Sequence, residues 1–467
     1  MAQGLADVRV HDGSAFAAET AVLVIGAGAG GLIAGLRARA AGADVLILER
    51  DSLPRGSTAL SAGLVPAAGT NIQKAAGLSD SKTLFTDDIL RKAGGEPEEA
   101  RVGTVVEAAA SAIDWLAEEH GLPFTVITNF TYPGHSANRM HGLPSRSGAE
   151  LMDRLRAAAE ASGIDIITDA RATTLLTGEN NRIAGVELVR PDGGREAIGC
   201  GALVLACNGY GGNKALVAEH IPALAGALYF GHPGNQGEAV LWGQALGARL
   251  ADLSGHQGHG SVAEPHGILI TWATMVEGGF QVNRHGQRFS DESHGYSEHA
   301  ATILQQPGGI GWSIFDARIA EIARQFEDFR DAEAQGAILV EETPEALARR
   351  IGVPEAAFAA TFEAVEAAKS AGATDAFGRN WAGSKPLAAP FCAVKVTGAL
   401  FHTQGGLAVD ANARVLAADG TPLPNLFAVG GAAQGVSGSK ASGYLSGNGL
   451  LTAFAYGYLA GDAAAKL

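Results

Sequence analysis

The chain has 467 residues, with 34 Lys plus Arg against 49 Asp plus Glu and a formal net charge of −15. That balance, with no Lys/Arg-rich run, excludes an ordinary nucleic-acid binder, because a polyanion would be repelled. Hydrophobic residues at 47% and charged residues at 18% exclude a disordered chain and assure a sizeable core.

At this length two or three domains, or one large domain with an insertion, are expected. Glycine is the outlier: 64 of the 467 residues, about twice ordinary usage, without the collagen period. These glycines are expected to serve turns and close backbone approach. Cys200, Cys207 and Cys392 are scattered and odd in number, with no CxxC spacing for zinc or haem, so no metal site is expected and a reducing, cytoplasmic setting fits. The first 20 residues lack the basic start and apolar stretch of a signal peptide. The apolar run Ala21 to Leu36 is too short and glycine-rich to span a bilayer.

In chain order, Ala21 to Ile25 (AVLVI) reads as a buried parallel strand and Gly31 to Ala41 as a packed helix. Between them Gly26, Gly28 and Gly31 satisfy GxGxxG, with Gly30 inside the loop. Asp44 to Leu48 (DVLIL) is a second buried strand, ending in Glu49. Strand, glycine loop, helix, strand and acid in that order form a dinucleotide fingerprint: the helix N-terminus faces a pyrophosphate and the acid accepts from a ribose hydroxyl.

Ala202 to Ala206 (ALVLA) is another buried strand, running into Cys207-Asn208-Gly209-Tyr210-Gly211-Gly212-Asn213. Near the C-terminus, Leu426 to Val429 runs into Gly430-Gly431, and Ser446-Gly447-Asn448-Gly449 opens an apolar helix to about Ala460. Strands this far apart in sequence imply a discontinuous nucleotide domain around an insertion. The predicted division is 1–228 and 386–467 for the nucleotide domain and 229–385 for the insertion, which holds seven histidines from His232 to His299. Within it, Asp316 to Gly372 reads as charged, Ala-rich helix broken near Gly352 to Pro354. The predicted fold class is α/β: a Rossmann-like, doubly wound, glutathione-reductase-type domain with an inserted α+β cap, a substrate being expected in the cleft between the two.

Several ordered motifs now resemble the flavoprotein family of fumarate reductase, succinate dehydrogenase and the 3-ketosteroid dehydrogenases. They are the fingerprint with Glu49; Arg55-Gly-Ser57-Thr58-Ala-Leu-Ser61-Ala62-Gly63; the turn at 209–213; Asn235-Gln-Gly-Glu238; Gly279-Phe-Gln-Val-Asn283 with Gly286-Gln-Arg-Phe-Ser-Asp-Glu292; Trp312-Ser-Ile-Phe-Asp316; His402-Thr-Gln-Gly-Gly406; and the terminal Ser446-Gly-Asn448 helix. The resemblance implies FAD, with Gly26, Gly28, Gly31 and Glu49 at its adenosine half and Gly30, Arg50 and Ala172 among its contacts. It places Ser57, Thr58, Ser61, Ala62 and Gly63 along the pyrophosphate and ring, with Ala206, Asn208, Gly209, Asn213, Gly430, Gly431, Ser446 and Asn448 as further contacts. The terminal helix would aim its positive end at the flavin N1/O2 edge. The histidine that carries covalent FAD in membrane-bound relatives falls at Ser57, which implies a non-covalent flavin. The Glu of a Gly-Glu pair in many relatives is Gly431 here.

On the substrate side, the same resemblance compares arginines with tyrosines. The arginine of the reductases' Asn-Arg-Leu-Gly-Gly-Asn motif falls at Tyr444, their proton-donating arginine at Tyr296, and their Thr-Glu pair at Thr271-Trp272. Tyrosines at these two places are similar to 3-ketosteroid Δ1-dehydrogenase. This implies Tyr296 as the base for a proton alpha to a ketone and Tyr444 as donor to the ketone oxygen, with His294 near Tyr296 in sequence as a possible aid. His259 and His402 resemble histidines that hold substrate carboxylate in the reductases, and Tyr132 falls where ketosteroid dehydrogenases have a further active-site tyrosine. Arg139, in the same polar loop as Tyr132, could meet a substrate anion or be solvated.

The implied reaction is α,β-desaturation of a cyclic ketone, with reduction of an enone or enoate as its reverse. The implied partners are a small-molecule ketone or enone and an electron partner for which quinone, oxygen and another flavoprotein all fit. A flavin-binding protein without turnover is the rival from another class.

Overall fold

Val22, Leu23 and Val24 have no solvent exposure because strand Ala18–Ile25 is paired on both sides, with Val45–Leu48 and with Arg195–Leu205, all parallel. An unbroken apolar run is what a strand needs when both edges and both faces are covered. The computed structural model describes residues 6–467, and the chain divides into two compact units. The larger comprises residues up to Ile221, Gly231–His256 and His402–Leu467; the smaller comprises Pro222–Phe230 and Gln257–Phe401.

The larger unit is built on a nine-stranded sheet. Its spatial order is Asp7–Val10, Arg171–Thr177, Ile183–Val189, Arg195–Leu205, Ala18–Ile25, Val45–Leu48 and Asp165–Ile167. Pro422–Ala428 joins in parallel at Leu203–Leu205, with Arg414–Leu416 antiparallel beside it. The strands read near residue 200 and near the C-terminus therefore enter the same sheet as the fingerprint strand. Helix Ala29–Ala40 packs on the terminal helix Asn448–Ala464. Glycine permits that approach: a Cβ at Gly457 would stand 2.7 Å from the Gly30 carbonyl oxygen, and one at Gly461 would stand 2.3 Å from that of Ala34.

The smaller unit has its own core, including Phe280, Ile314, Phe315, Phe358 and Trp381, around a seven-stranded sheet in which Phe391–Thr403 is the longest strand. The stretch from Asp316 to Gly372 differs from its sequence reading. It holds four helices, Ala317–Ala323, Glu327–Ala334, Pro344–Ile351 and Glu355–Ala371, and a strand, Ile338–Glu341, that pairs with Phe391–Val394. Ile-Leu-Val in that strand is short and apolar, and its partner strand overrode the helical setting. The break at Gly352 is as read: φ is +73° there, and Pro354 caps the next helix. No helix among the described residues is long and apolar enough to cross a membrane.

Candidate active site

Two sites rise from these elements, one in each unit. In the larger, the strand Ala18–Ile25 ends at Gly26, whose φ of +103° turns the chain into the helix starting at Ala29. A Cβ at Gly31 would lie 1.9 Å from the Gly26 carbonyl oxygen, so only glycine closes this loop. The loop forms one wall of a groove. Glu49 is buried, and its carboxylate accepts from the amides of Ala27 and Asp51, each at 3.0 Å. Burial raises its pKa, and those two amides oppose the rise.

Ser57 is fixed from another segment of the same unit, its Oγ accepting from the His232 amide at 3.2 Å and from Asn235 Nδ2 at 2.8 Å. Thr58 Oγ1 accepts from the Ala29 amide at 3.4 Å. Gly431 must be small because a Cβ there would stand 2.1 Å from Asn208 Oδ1.

The groove is lined by Gly26, Gly28, Gly30, Glu49, Arg50, Ser57, Thr58, Ala172, Ala206, Asn208, Gly430 and Gly431. The other predicted cofactor residues lie off its lining. Gly31 is packed behind the loop. Ser61 donates to the Thr58 carbonyl at 2.7 Å and accepts from the Gly63 amide at 3.1 Å, with Ala62 between them. A Cβ at Gly209 would meet Thr403, and Asn213 caps helix Lys214–His220. Ser446 and Asn448 stand at the start of the terminal helix, and the carbonyl of Ser446 lies 2.9 Å from His135 Nε2.

Sequence reasoning missed Asp51, Arg171, His232, Asn235, Glu238 and Trp242 on this lining. The Asn235-Gln-Gly-Glu238 motif was the available signal for two of them. Cys207 also lines the groove, but burial pushes its thiol pKa up, which removes nucleophilic character at neutral pH.

The groove suits a dinucleotide. A Cβ at Gly28 would find nothing nearer than Thr58 Oγ1 at 3.9 Å, leaving open space at the helix N-terminus. Glu238 Oε2 is buried on the lining with no hydrogen-bond partner among the described residues.

The larger unit also holds His402 and Tyr444, whose rings meet edge to face at 5.3 Å. Burial, chiefly, lowers the His402 pKa to about 4, so it is neutral. Tyr132 is half-buried against Phe130, ring to ring at 5.0 Å. Arg139 is fully buried, paired with Asp80 at 3.0 Å and Asp88 at 2.6 Å. Its charge is spent inside the fold, so it is not a substrate anchor.

The smaller unit gathers Tyr296 and His259. Gly295, with φ +134°, starts helix Tyr296–Leu304, so Tyr296 opens its first turn. His259 comes from strand His256–Ala263, and its ring stacks on Tyr296 at 4.9 Å and on Phe401 at 5.4 Å, with Trp272 edge-on at 5.7 Å. His259 Nδ1 accepts from the Ser261 amide at 3.2 Å, which places the proton on Nε2. Burial and the neighbouring His299 hold its pKa down at about 3. His294 is exposed and lies 3.6 Å from Asp291.

A discontinuous doubly wound domain with a dinucleotide groove, in a chain whose second unit carries a tyrosine–histidine cluster, defines a nucleotide-dependent oxidoreductase. The FAD binding domain family matches residues 21–450, and this chain belongs to it as an FAD-dependent oxidoreductase of the fumarate reductase family. It is similar to a probable fumarate reductase of Shewanella frigidimarina, 31% identical over 448 residues that cover 96% of this chain and 75% of that protein. It is similar in structure to the open conformation of a flavocytochrome c3 fumarate reductase, with TM-score 0.83 and 30% identity over 96% of this chain and 78% of the other. It is also similar to the 3-ketosteroid-Δ4-(5α)-dehydrogenase of Rhodococcus jostii RHA1 in complex with 4-androstene-3,17-dione, with TM-score 0.77 and 26% identity over 99% of this chain and all of that one (100%).

Proposed function

We propose that this protein desaturates a cyclic ketone alpha,beta to its carbonyl, with Tyr296 as base and Tyr444 as donor to the carbonyl oxygen. The observation that carries the reading is the character of the surroundings of Tyr296: a neutral histidine stacked on it and the rings of Trp272 and Phe401 around that histidine. A dicarboxylate needs cations to repay its desolvation, whereas a neutral carbocyclic ketone is suited to rings and uncharged donors.

FAD, held by the groove lined with Gly26, Gly28, Glu49 and Ser57, supplies the hydride acceptor when bound. Tyr296 as phenolate takes the alpha proton. The Tyr444 hydroxyl donates to the oxygen on which enolate charge develops, and the uncharged imidazoles of His259 and His402 supply further N–H donors. Ser57 offers no histidine for a covalent flavin link, so the flavin is held non-covalently. The three free cysteines fit a reducing compartment.

A second reading, reduction of an enone or enoate by the reverse steps, has its own support. His259 is neutral, and a protonated Tyr296 phenol would serve as the proton donor. The test is anaerobic: saturated 3-oxosteroids, substituted cyclohexanones, 4-oxocyclohexanecarboxylate and succinate are mixed with the FAD-loaded protein and flavin absorbance is followed. Bleaching by a cyclic ketone and not by succinate supports the desaturase. No bleaching, with reoxidation of dithionite-reduced protein by an enone or enoate, supports the reductase. Bleaching by succinate alone refutes the ketone.

A further inference from the structure

Behind His402 runs a buried chain of uncharged polar side chains. Asn448 Nδ2, at the start of the terminal helix, donates to Ser437 Oγ at 2.9 Å. Ser437 Oγ donates to Gln404 Oε1 at 2.7 Å, and Gln404 Nε2 meets His402 Nδ1 at 3.0 Å. Ser437, Gln404 and Asn448 are 1%, 4% and 0% exposed. The direction of each link forces the next. An amide N–H only donates, so the hydroxyl of Ser437 receives from Asn448 and spends its one proton on Gln404 Oε1. That turns the Gln404 amide nitrogen toward His402, where only a bare Nδ1 can receive it, leaving the ring proton on Nε2. Gly449 keeps the Nε2 edge clear, since a Cβ there would stand 3.0 Å from Nε2. The competing contact, Nδ1 to the Thr403 carbonyl, is longer, at 3.4 Å.

We propose that Gln404 is a positioning residue that fixes His402 as an Nε2–H donor, its own amide oriented by Ser437 and Asn448. The inference rests on the reading of His402 as a group that meets the substrate. The low pKa of His402 keeps the ring neutral, so a single tautomer is a meaningful state. The groups facing it are Tyr444, Gln404, the Thr403 carbonyl and, at longer range, His256.

The experiment is nitrogen-15 NMR of histidine-labelled, FAD-loaded full-length protein, with His402→Asn to identify the signals. Wild type is expected to show an unprotonated Nδ1 and a protonated Nε2. Gln404→Met, close in volume, should lose that fixed pattern and lower kcat/KM for the best ketone by between about 10- and 100-fold. Gln404→Glu should reverse the pattern to Nδ1–H, raise the His402 pKa and introduce a titration limb absent from wild-type turnover; it also serves if the Met variant fails to fold. A wild-type Nδ1–H, which would mean both amides are turned over, or wild-type signals in Gln404→Met, overturns the proposal. If the tautomer responds as stated while kcat/KM does not change for any ketone, the role in positioning substrate is overturned and the assignment of His402 fails with it. The ketone reading fails separately, if no ketone bleaches the wild-type flavin.

Discussion

The groove of the larger unit and the cluster of the smaller one are built from different materials. The groove is made largely of backbone: glycines, two of which (Gly26 and Gly431) have no room for a Cβ, amides on Glu49, and a serine and a threonine held by other amides. The cluster is made of rings, His259, Tyr296, Trp272 and Phe401, from four separate stretches of chain. A backbone site specifies shape and is intolerant of an added methyl group, whereas a side-chain site specifies chemistry and can change substrate by exchanging one ring for a cation.

The contrast can be broken most directly at Gly31. Gly31→Val puts carbon against the Gly26 carbonyl and is expected to yield little or no FAD-loaded protein, measured as flavin per purified chain. Gly28→Ala sharpens the point: the site has room within the protein, so the chain should fold normally and lose only flavin affinity, read by fluorescence titration.

In the smaller unit, Arg379→Met removes a buried cation that donates to Glu292 at 2.9 Å and to the carbonyls of Gly279 and Met275. It should destabilise that unit by about 3–5 kcal/mol in urea unfolding, with flavin content of the folded fraction unchanged.

Acid should act next. Burial lowers His135, His141 and His299 to about 4 and His259 to about 3, below the free value of 6.5. The unfolded chain therefore takes up these protons first. Stability is intact above pH 6.5 and falls by about 1.4 kcal/mol per pH unit for each histidine between there and the folded value. His135→Gln should flatten the dependence of the urea midpoint on pH in that window. The smallest effect is expected at Asn213, whose side chain caps a helix by accepting from the Ala215 and Leu216 amides; Asn213→Ala should cost about 1 kcal/mol in the same assay.

What was legible in the sequence follows the same divide. Gly26, Gly28, Gly31 and Glu49 were readable because a backbone loop writes its geometry into consecutive residues. Tyr296 and Tyr444 are candidates only through motifs of related proteins, since nothing in their spacing brings a ring to a substrate. His232 and Arg171 were missed on the groove because they arrive from distant segments, and Gln404 was missed because it acts through His402. The strand Ile338–Glu341 was hidden inside helical surroundings, its pairing with Phe391–Val394 being a long-range fact.

The role of Tyr296 is tested most directly by stopped-flow reduction of the bound flavin by the best ketone, comparing wild type with Tyr296→Phe. The variant is expected to retain full flavin and to bleach between about 10²- and 10⁴-fold more slowly. A variant that bleaches at nearly the wild-type rate would take Tyr296 out of the reaction and with it the ketone mechanism.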